Sequence, residues 1–237
     1  MRPFQIDSHS IPVATLDKTA TLKVWDLPTR LFHWSLLAGI VACWWTSTEN
    51  GDMDWHMRCG YAVLALLLFR LVWGVLGSTT ARFSNFVTAP RAVIRYFAGI
   101  RKNDPMPHIG HNPAGGWMVL ALLGTALFIS GSGLFANDDM MSEGPLAHHV
   151  GERFSDLATA LHENGFHFLL ALVGLHLAAV AFYLLVKKEN LVLPMLTGIK
   201  HLPRNSGAPA LHTQKAWLAL LILGCTSGMV WALVMFT

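Results

Sequence analysis

Charged side chains are scarce in this chain. Only 13% of its 237 residues are Asp, Glu, Lys or Arg, whereas 53% are hydrophobic, and an average soluble domain carries about twice that charged share. The scarcity excludes an ordinary soluble domain and argues against nucleic acid as a partner. Nine tryptophans and thirteen phenylalanines, many of them near the ends of apolar runs, are typical of the aromatic belts of membrane proteins. The composition therefore predicts an integral membrane protein.

Cysteine is sparse as well. Cys43, Cys59 and Cys225 lie in or beside apolar segments, and the chain has no Cys-x-x-Cys-His sequence of the kind that attaches a c-type haem covalently. The first thirty residues are polar and lack the hydrophobic core of a cleaved secretory signal. Any haem is therefore expected to be non-covalent, and the N-terminal segment is expected to be a cytoplasmic tail.

Five apolar segments approach or reach the roughly 17 to 25 helical residues that span a bilayer. They cover approximately residues 31–47, 55–76, 117–135, 162–186 and 216–236. Lipid offers the backbone no hydrogen-bond partners, so these segments should be helices, and the alternating ten-residue pattern of barrel strands is missing. We expect an all-α integral membrane helical bundle with a tail (1–30), a four-helix core (31–200), and a linker with a fifth transmembrane helix (201–237).

Basic residues are concentrated in two connecting loops. The loop between the second and third spans contains Arg82, Arg91, Arg95, Arg101 and Lys102 against Asp104, and the loop between the fourth and fifth contains Lys187, Lys188, Lys200, Arg204 and Lys215 against Glu189. The loops after the first and third spans are acidic instead. The positive-inside rule therefore predicts a multi-pass membrane protein with a cytoplasmic N-terminus and a C-terminus on the outer side.

Four histidines, His33, His56, His162 and His176, lie where packing alone does not explain a polar ring. His162 and His176 are fourteen residues apart, which places them on nearly the same face of one helix and roughly 21 Å apart. The topology puts His56 and His162 near the outer surface and His33 and His176 towards the inner one. Each pair could ligate one haem iron, and bis-histidine ligation is the arrangement of an electron carrier. The spacing therefore predicts two non-covalent haems b stacked across the membrane.

Other interpretations of the histidines remain open. A single membrane histidine can be structural, bonded to a neighbouring helix. Zinc is less suitable, because each level offers only two histidines and no nearby Cys or carboxylate other than Glu163. The remaining histidines near the spans are expected to be surface or propionate contacts (His108 and His111) or structural (His148, His149 and His167).

Arg70 follows His56 by fourteen residues and should lie at the depth of the inner haem. Because an arginine in the membrane needs a counter-charge, it could pair with a haem propionate. It could equally extend to the inner headgroups, and for Arg30 this second interpretation is favoured. Glycines within the spans could allow close approach of a macrocycle or of another helix. They are Gly39, Gly60, Gly74, Gly124 and Gly174.

The chain resembles the prokaryotic cytochrome b561 family, which includes the b-type cytochrome subunits of membrane-bound nickel-iron hydrogenases. The matching stretches are residues 24–34 (Val-Trp-Asp-Leu-Pro-Thr-Arg-Leu-Phe-His-Trp), 56–60 with 70–77, 111–117 (His-Asn-Pro-Ala-Gly-Gly-Trp), His162-Glu163 and Gly174-Leu175-His176. The resemblance implies a four-helix core whose haems are ligated by the same four histidines. The fifth span contains no histidine or charge and is expected to pack outside this core or against a partner subunit.

The resemblance implies an electron-transfer subunit of a quinone-linked oxidoreductase in the bacterial inner membrane, with a periplasmic C-terminus. It would connect the membrane quinone pool with a periplasmic redox protein such as a c-type cytochrome, a hydrogenase or another dehydrogenase. One alternative is a superoxide:quinone oxidoreductase, which the acidic outer loops disfavour because they would repel the anion. Another is a non-redox transporter or sensor, although the paired interrupted helices typical of transporters are missing.

Overall fold

The structure, a computed structural model, describes residues 19–48, 51–101, 109–138, 142–203 and 210–237. The described helices are α1 (Leu27–Thr46), α2 (Met53–Leu76), α3 (Phe83–Phe86), α4 (Pro90–Arg101), α5 (Pro113–Gly133), α6 (Glu152–Leu185), α7 (Val192–Thr197) and α8 (Ala216–Phe236). A single 3-10 turn covers Ala147–His149, and two short strands, β1 (Thr19–Lys23) and β2 (Ile199–Pro203), pair antiparallel. The predicted helical membrane bundle is confirmed.

Four helices, α2, α5, α6 and α8, are long and apolar enough to cross a membrane. The first helix, α1, has 20 residues and is not one of these four, because Arg30 and His33 lower its mean hydropathy. Its length of about 30 Å nevertheless matches a hydrocarbon core. The helix α6 begins at Glu152, well before the predicted start at residue 162, and its 34 residues extend about 51 Å. Its first turns must therefore project beyond the hydrocarbon.

Side-chain caps determine where the helices begin. Asp26 precedes α1 and its carboxylate accepts a hydrogen bond of 2.9 Å from the Thr29 amide. The second oxygen of Asp26 accepts one of 3.2 Å from the indole Nε1 of Trp73 at the end of α2. Asn112 caps α5 in the same way, accepting from the Gly115 amide at 2.7 Å. The Asp26 side chain is buried, and its carboxylate both caps the N-terminus of α1 and joins α1 to α2 through a hydrogen bond.

The helix α2 is the centre of the bundle, packed against α1, α5 and α8, while α6 packs on α5. Leu67 and Trp73 of α2 are fully buried. A Cβ at Gly39 of α1 would lie 2.7 Å from a methyl group of Val63, so this glycine allows close helix packing, the second of the two predicted reasons. The fifth predicted span, α8, packs against α2, and none of the described residues that line the cavity discussed below belongs to it.

Both basic loops lie at one end of the bundle. The connection after α2 meets the segment before α8, where the Thr79 amide donates to the His212 carbonyl at 3.0 Å. The strand β1 pairs with β2, and the Val24 amide donates to the carbonyl of Gly198, which has a left-handed φ of 83°. The N-terminal tail therefore ends in an ordered strand rather than continuing as a tail to residue 30. Several residues of the sequence analysis lie outside the described ranges: Lys102, Asp104, His108 and Arg204.

Candidate functional site

A cavity of about 480 Å³ opens at the end of the bundle opposite the basic loops. Its wall is formed by α1, α2, α5 and α6 together with the loops that follow α1 and α5. Apolar side chains such as Met57 and Phe166 supply much of this wall, and His56 and His162 lie within it. An apolar cavity of this size between helices, with a small number of polar groups, is typical of a cofactor site.

The rings of His56 and His162 oppose each other in this cavity. Their centroids are 5.9 Å apart and their planes are nearly perpendicular, at 82°. Two trans imidazoles on one metal ion have ring centres about 6 Å apart, because each metal–nitrogen bond is about 2.0 Å and each centre lies roughly 1.1 Å behind its nitrogen. The spacing therefore fits a single iron between the two rings.

Backbone carbonyls orient both rings. The Nδ1 of His56 lies 2.9 Å from the Cys43 carbonyl, and the Nδ1 of His162 lies 2.8 Å from the Ile129 carbonyl. A ring that donates from Nδ1 presents an unprotonated Nε2, and metal-binding histidines are oriented by such bonds. Both residues thus have the tautomer that an axial ligand needs.

Gly133, the last residue of α5, lies directly beside His162. A Cβ at this position would be 2.8 Å from Cε1 of the ring and 2.9 Å from its Nδ1, which is closer than carbon atoms normally approach. Gly60 also lines the cavity, and a Cβ there would meet no atom within 4 Å. The glycine at position 133 therefore creates the space in which the histidine ring lies.

The mouth of the cavity is acidic. Asp138, Glu143 and Glu163 line it together with His167, whose Nδ1 lies 3.1 Å from the Glu163 carbonyl. The lining contains no lysine or arginine among the described residues. His148 and His149 contact each other in the loop, with ring centroids 4.1 Å apart and planes inclined at 58°, and are exposed. These two histidines and His167 lie outside the opposed pair of His56 and His162.

A second cluster lies nearer the basic end. His33 of α1 and His176 of α6 are both half-buried, and they are close enough for their charges to interact. The Nδ1 of His33 is buried and has no hydrogen-bond partner among the described residues. The second predicted pair is thus within electrostatic range, on two helices, α1 and α6, that contact α2 and α5 respectively.

Arg70 lies in this second cluster and is only 3% exposed. One terminal nitrogen donates to the Ala81 carbonyl at 3.1 Å, while the other, Nη1, has no partner within the described part of the chain. The guanidinium stacks over Phe83 at 4.8 Å from the ring centroid. The prediction that Arg70 extends to the inner headgroups is therefore wrong. The other prediction, that Arg70 pairs with a haem propionate, stays a prediction. Arg30 is half-buried, and its guanidinium donates to the Leu196 carbonyl.

His111 completes the second cluster, held between Trp25 and Phe86 with ring centroids 4.8 and 4.7 Å away. Burial, together with the nearby Arg70, His176 and His33, lowers the pKa of its ring from 6.5 to about 3. Its Nδ1 is buried without a partner among the described residues. A neutral ring with an unused nitrogen is suited to bind a polar group of a cofactor.

Both clusters fit haem b. The first offers two opposed imidazoles with the required spacing and tautomers. The second offers His33 and His176, and three buried polar atoms there, on His33, Arg70 and His111, have no partner among the described residues. Burying such atoms unpaired is costly. Carboxylates of haem propionates are acceptors of the kind that Arg70 and a protonated ring nitrogen would bind. Clusters of three or more His, Cys, Asp or Glu that could hold a bare metal ion are not found in the described residues, which disfavours zinc.

Sequence reasoning did not identify three contributors to the first cluster. Two are the backbone carbonyls of Cys43 and Ile129, which carry no sequence signal because any residue supplies a carbonyl. The third is Gly133, the second glycine of a Gly-Ser-Gly sequence at the end of α5, which carries no signal that distinguishes it from other small residues. Only its contact with His162 reveals its role.

The family model for prokaryotic cytochrome b561 matches residues 24–198, a range that contains all four paired histidines and Arg70. No curated protein and no solved structure matches the chain. Members of this family are b-type cytochromes of the membrane, which carry electrons through haem b. With its membrane-spanning helices and this match over most of its length, the chain belongs to the prokaryotic cytochrome b561 family.

Proposed function

We propose that this protein holds two haems b and carries electrons across the bacterial inner membrane between the quinone pool and a periplasmic redox protein. The outer haem would be ligated by His56 and His162 and the inner haem by His33 and His176. The observation that carries the proposal is the opposed, carbonyl-oriented pair of His56 and His162 at 5.9 Å. The pairing of His33 with His176 rests on their proximity and on the buried groups around them.

The protein supplies ligation, orientation and electrostatics, while a bound haem supplies reversible one-electron transfer at its iron. Two histidine ligands leave no open coordination position, so oxygen would be excluded from the iron. The carbonyls of Cys43 and Ile129 hold the outer ligands in position. Fixed ligands reduce the rearrangement that accompanies each change of oxidation state.

Arg70 and His111 have a different proposed role at the inner haem. Both present a buried nitrogen that lacks a partner in the described residues, and propionate carboxylates would provide acceptors for them. Such pairing would stabilise the buried guanidinium and fix the rotation of the macrocycle. A positive charge near the inner haem would also favour its reduced state.

The acidic outer surface favours a basic redox partner. Asp138, Glu143 and Glu163 line the outer cavity. A surface of this sign would steer a positively charged c-type cytochrome or a basic subunit of a hydrogenase or dehydrogenase. The same surface would repel superoxide, so the structure offers no support for a superoxide:quinone oxidoreductase.

Haem content tests the proposal. The protein is purified in detergent, and haem per chain is measured by pyridine haemochrome for the wild type, His56→Ala and His176→Ala. The matched control is His167→Ala, which removes a cavity-mouth histidine of α6 outside both pairs. We expect two haems b in the wild type and in the control, and the loss of one in each of the other variants. A wild type without haem, or a control that loses as much as His56→Ala, would overturn the assignment.

The orientation and the quinone link have separate tests. Reporter fusions at the C-terminus should be active in the periplasm if the positive-inside assignment holds. In inner-membrane vesicles, a quinol should reduce the haems or a quinone should oxidise them, and His176→Ala should abolish this reaction. A C-terminal reporter that is active only in the cytoplasm would show that the topology is the reverse of the one proposed. Haems that are neither reduced by quinol nor oxidised by quinone would show that the protein does not react with the quinone pool.

A further inference from the structure

The helix α4 connects two membrane-spanning helices without being one itself. It has 12 residues, which makes it about 18 Å long and too short to cross the hydrocarbon. It lies between the end of α2 and the start of α5, and it packs on α5. Since α2 and α5 both meet the membrane surface at this end of the bundle, α4 is located at that surface.

A tyrosine contact fixes the rotation of α4. The hydroxyl of Tyr96 is hydrogen-bonded to the hydroxyl of Tyr183 in the last turn of α6. The amide of Asn112 donates to the same Tyr183 hydroxyl at 3.1 Å. The side of α4 that carries Tyr96 therefore faces the bundle, joined to both α6 and the start of α5.

The opposite side of α4 exposes large apolar side chains. Ile94 is 71% exposed and Phe97 is 58% exposed, and as residues three apart they lie next to each other on one helix face. Exposed apolar area of this kind at the end of a transmembrane bundle is stabilised when it enters the boundary between headgroups and acyl chains. The face formed by Ile94 and Phe97 is therefore directed away from the rest of the protein.

The charge of α4 has one sign. The helix contains Arg91, Arg95 and Arg101 and no acidic residue. Arg91 and Arg95 are one turn apart, and both are exposed. Both arginines flank the face formed by Ile94 and Phe97, so they do not lie on the side of α4 that faces away from the membrane. A short helix with an apolar face flanked by arginines is the pattern of an interfacial helix on an anionic leaflet.

We infer that α4 lies in the membrane interface and binds anionic phospholipid headgroups through Arg91 and Arg95, with Ile94 and Phe97 inserted among the acyl chains. This inference does not depend on the haem assignments, since it uses only the membrane topology and the exposed residues of one helix. Tyr183 holds α4 against the bundle, so lipid binding would stabilise the same end of the protein that contains the basic loops.

Lipid titration tests the headgroup contact. The full-length protein in detergent is titrated with dioleoylphosphatidylglycerol or dioleoylphosphatidylcholine, and bound lipid is counted by native mass spectrometry. We expect a preference for the anionic lipid that weakens in Arg91→Gln/Arg95→Gln by roughly 25-fold, because each arginine near an anionic surface strengthens binding about fivefold. The matched control, Arg58→Gln/Arg153→Gln, removes the same charge from exposed positions in α2 and α6 and should keep the preference.

Two results of this titration would overturn the inference. One is an equal loss in both double variants, which would show a general effect of net charge. The other is inorganic phosphate that displaces the lipid at a comparable concentration, which would show a free-anion site rather than a lipid surface. Haem content serves as the check of folding, because both double variants lie outside the histidine pairs.

A fluorescence measurement tests the insertion of the apolar face independently. With Cys43, Cys59 and Cys225 replaced by serine, a polarity-sensitive dye is attached at Phe97→Cys or, as the control, at Ser84→Cys. Ser84 is an exposed residue of α3 in the same connection. In nanodiscs that contain phosphatidylglycerol, the dye at position 97 should emit at a shorter wavelength than the dye at position 84. Equal emission from both positions would place α4 in water and contradict the inference.

Discussion

The substitution Gly133→Ala is expected to disrupt the outer haem site through one added methyl group. The new Cβ would be 2.8 Å from Cε1 of His162, whereas carbon atoms in contact are normally about 3.5 to 4.0 Å apart. The ring would have to move by roughly 0.7 to 1.2 Å. Its Nδ1 bond of 2.8 Å to the Ile129 carbonyl would then exceed hydrogen-bonding distance. Loss of such an orienting bond typically costs 10- to 100-fold in metal affinity.

The assay is haem retention during dilution in detergent, followed by pyridine haemochrome and by reduced-minus-oxidised spectra. Gly133→Ala should release one haem b per chain at concentrations where the wild type retains both. Gly131→Ala is the matched control, because a Cβ at that position of α5 meets no atom within 4 Å. On helix propensity alone both substitutions should stabilise the protein, by up to about 1 kcal/mol each. Full haem retention by Gly133→Ala would refute the proposed role of His162 or the contact itself.

Two further predictions concern stability, each measured as the thermal midpoint of the full chain in detergent. Asp26→Ala removes the α1 cap and leaves the Trp73 indole unpaired, so it should destabilise the protein by about 2 to 3 kcal/mol. The control is Asp52→Ala, which removes only the exposed cap of α2. Equal loss of stability in the two variants would contradict this reasoning. Burial lowers the pKa of His111 from 6.5 to about 3 in the folded protein. Protons therefore bind preferentially to the unfolded chain, and the free energy of unfolding falls as the pH drops from about 6.5 towards 3. His111→Gln removes this titrating group and should reduce the loss of stability in acid. Identical slopes for wild type and His111→Gln over this range would show that the ring does not remain neutral in the folded protein.

Several features followed directly from the sequence. The apolar segments predicted the helices because lipid leaves the backbone no other way to pair its polar groups, and the bounds of α8 agree with those predicted. The fourteen-residue interval between His162 and His176 predicted ligands at two depths because helix geometry is nearly constant. Resemblance in residues 24–34, 111–117 and around the last two histidines identified the family, and the family match confirmed it.

Other features needed the structure because they depend on contacts between distant residues. The start of α6 at Glu152 was missed, since the segment 152–161 is polar and hydropathy marks only the part of a helix that lies in lipid. The strand β1 was assigned to a tail because its partner β2 is far away in the sequence. The helix α4 was read as loop because its apolar positions are too few for a span.

The sequence by itself determined the class of the protein, the number of long helices and the histidines that could bind haem, because these follow from hydropathy, helix periodicity and local motifs. Only the tertiary structure decided that backbone carbonyls orient the rings of His56 and His162, that Arg70 is buried rather than extended to the headgroups, and that Gly133 makes room for His162. These properties depend on how helices far apart in the chain pack against each other, and a local pattern carries no information about distances across the bundle.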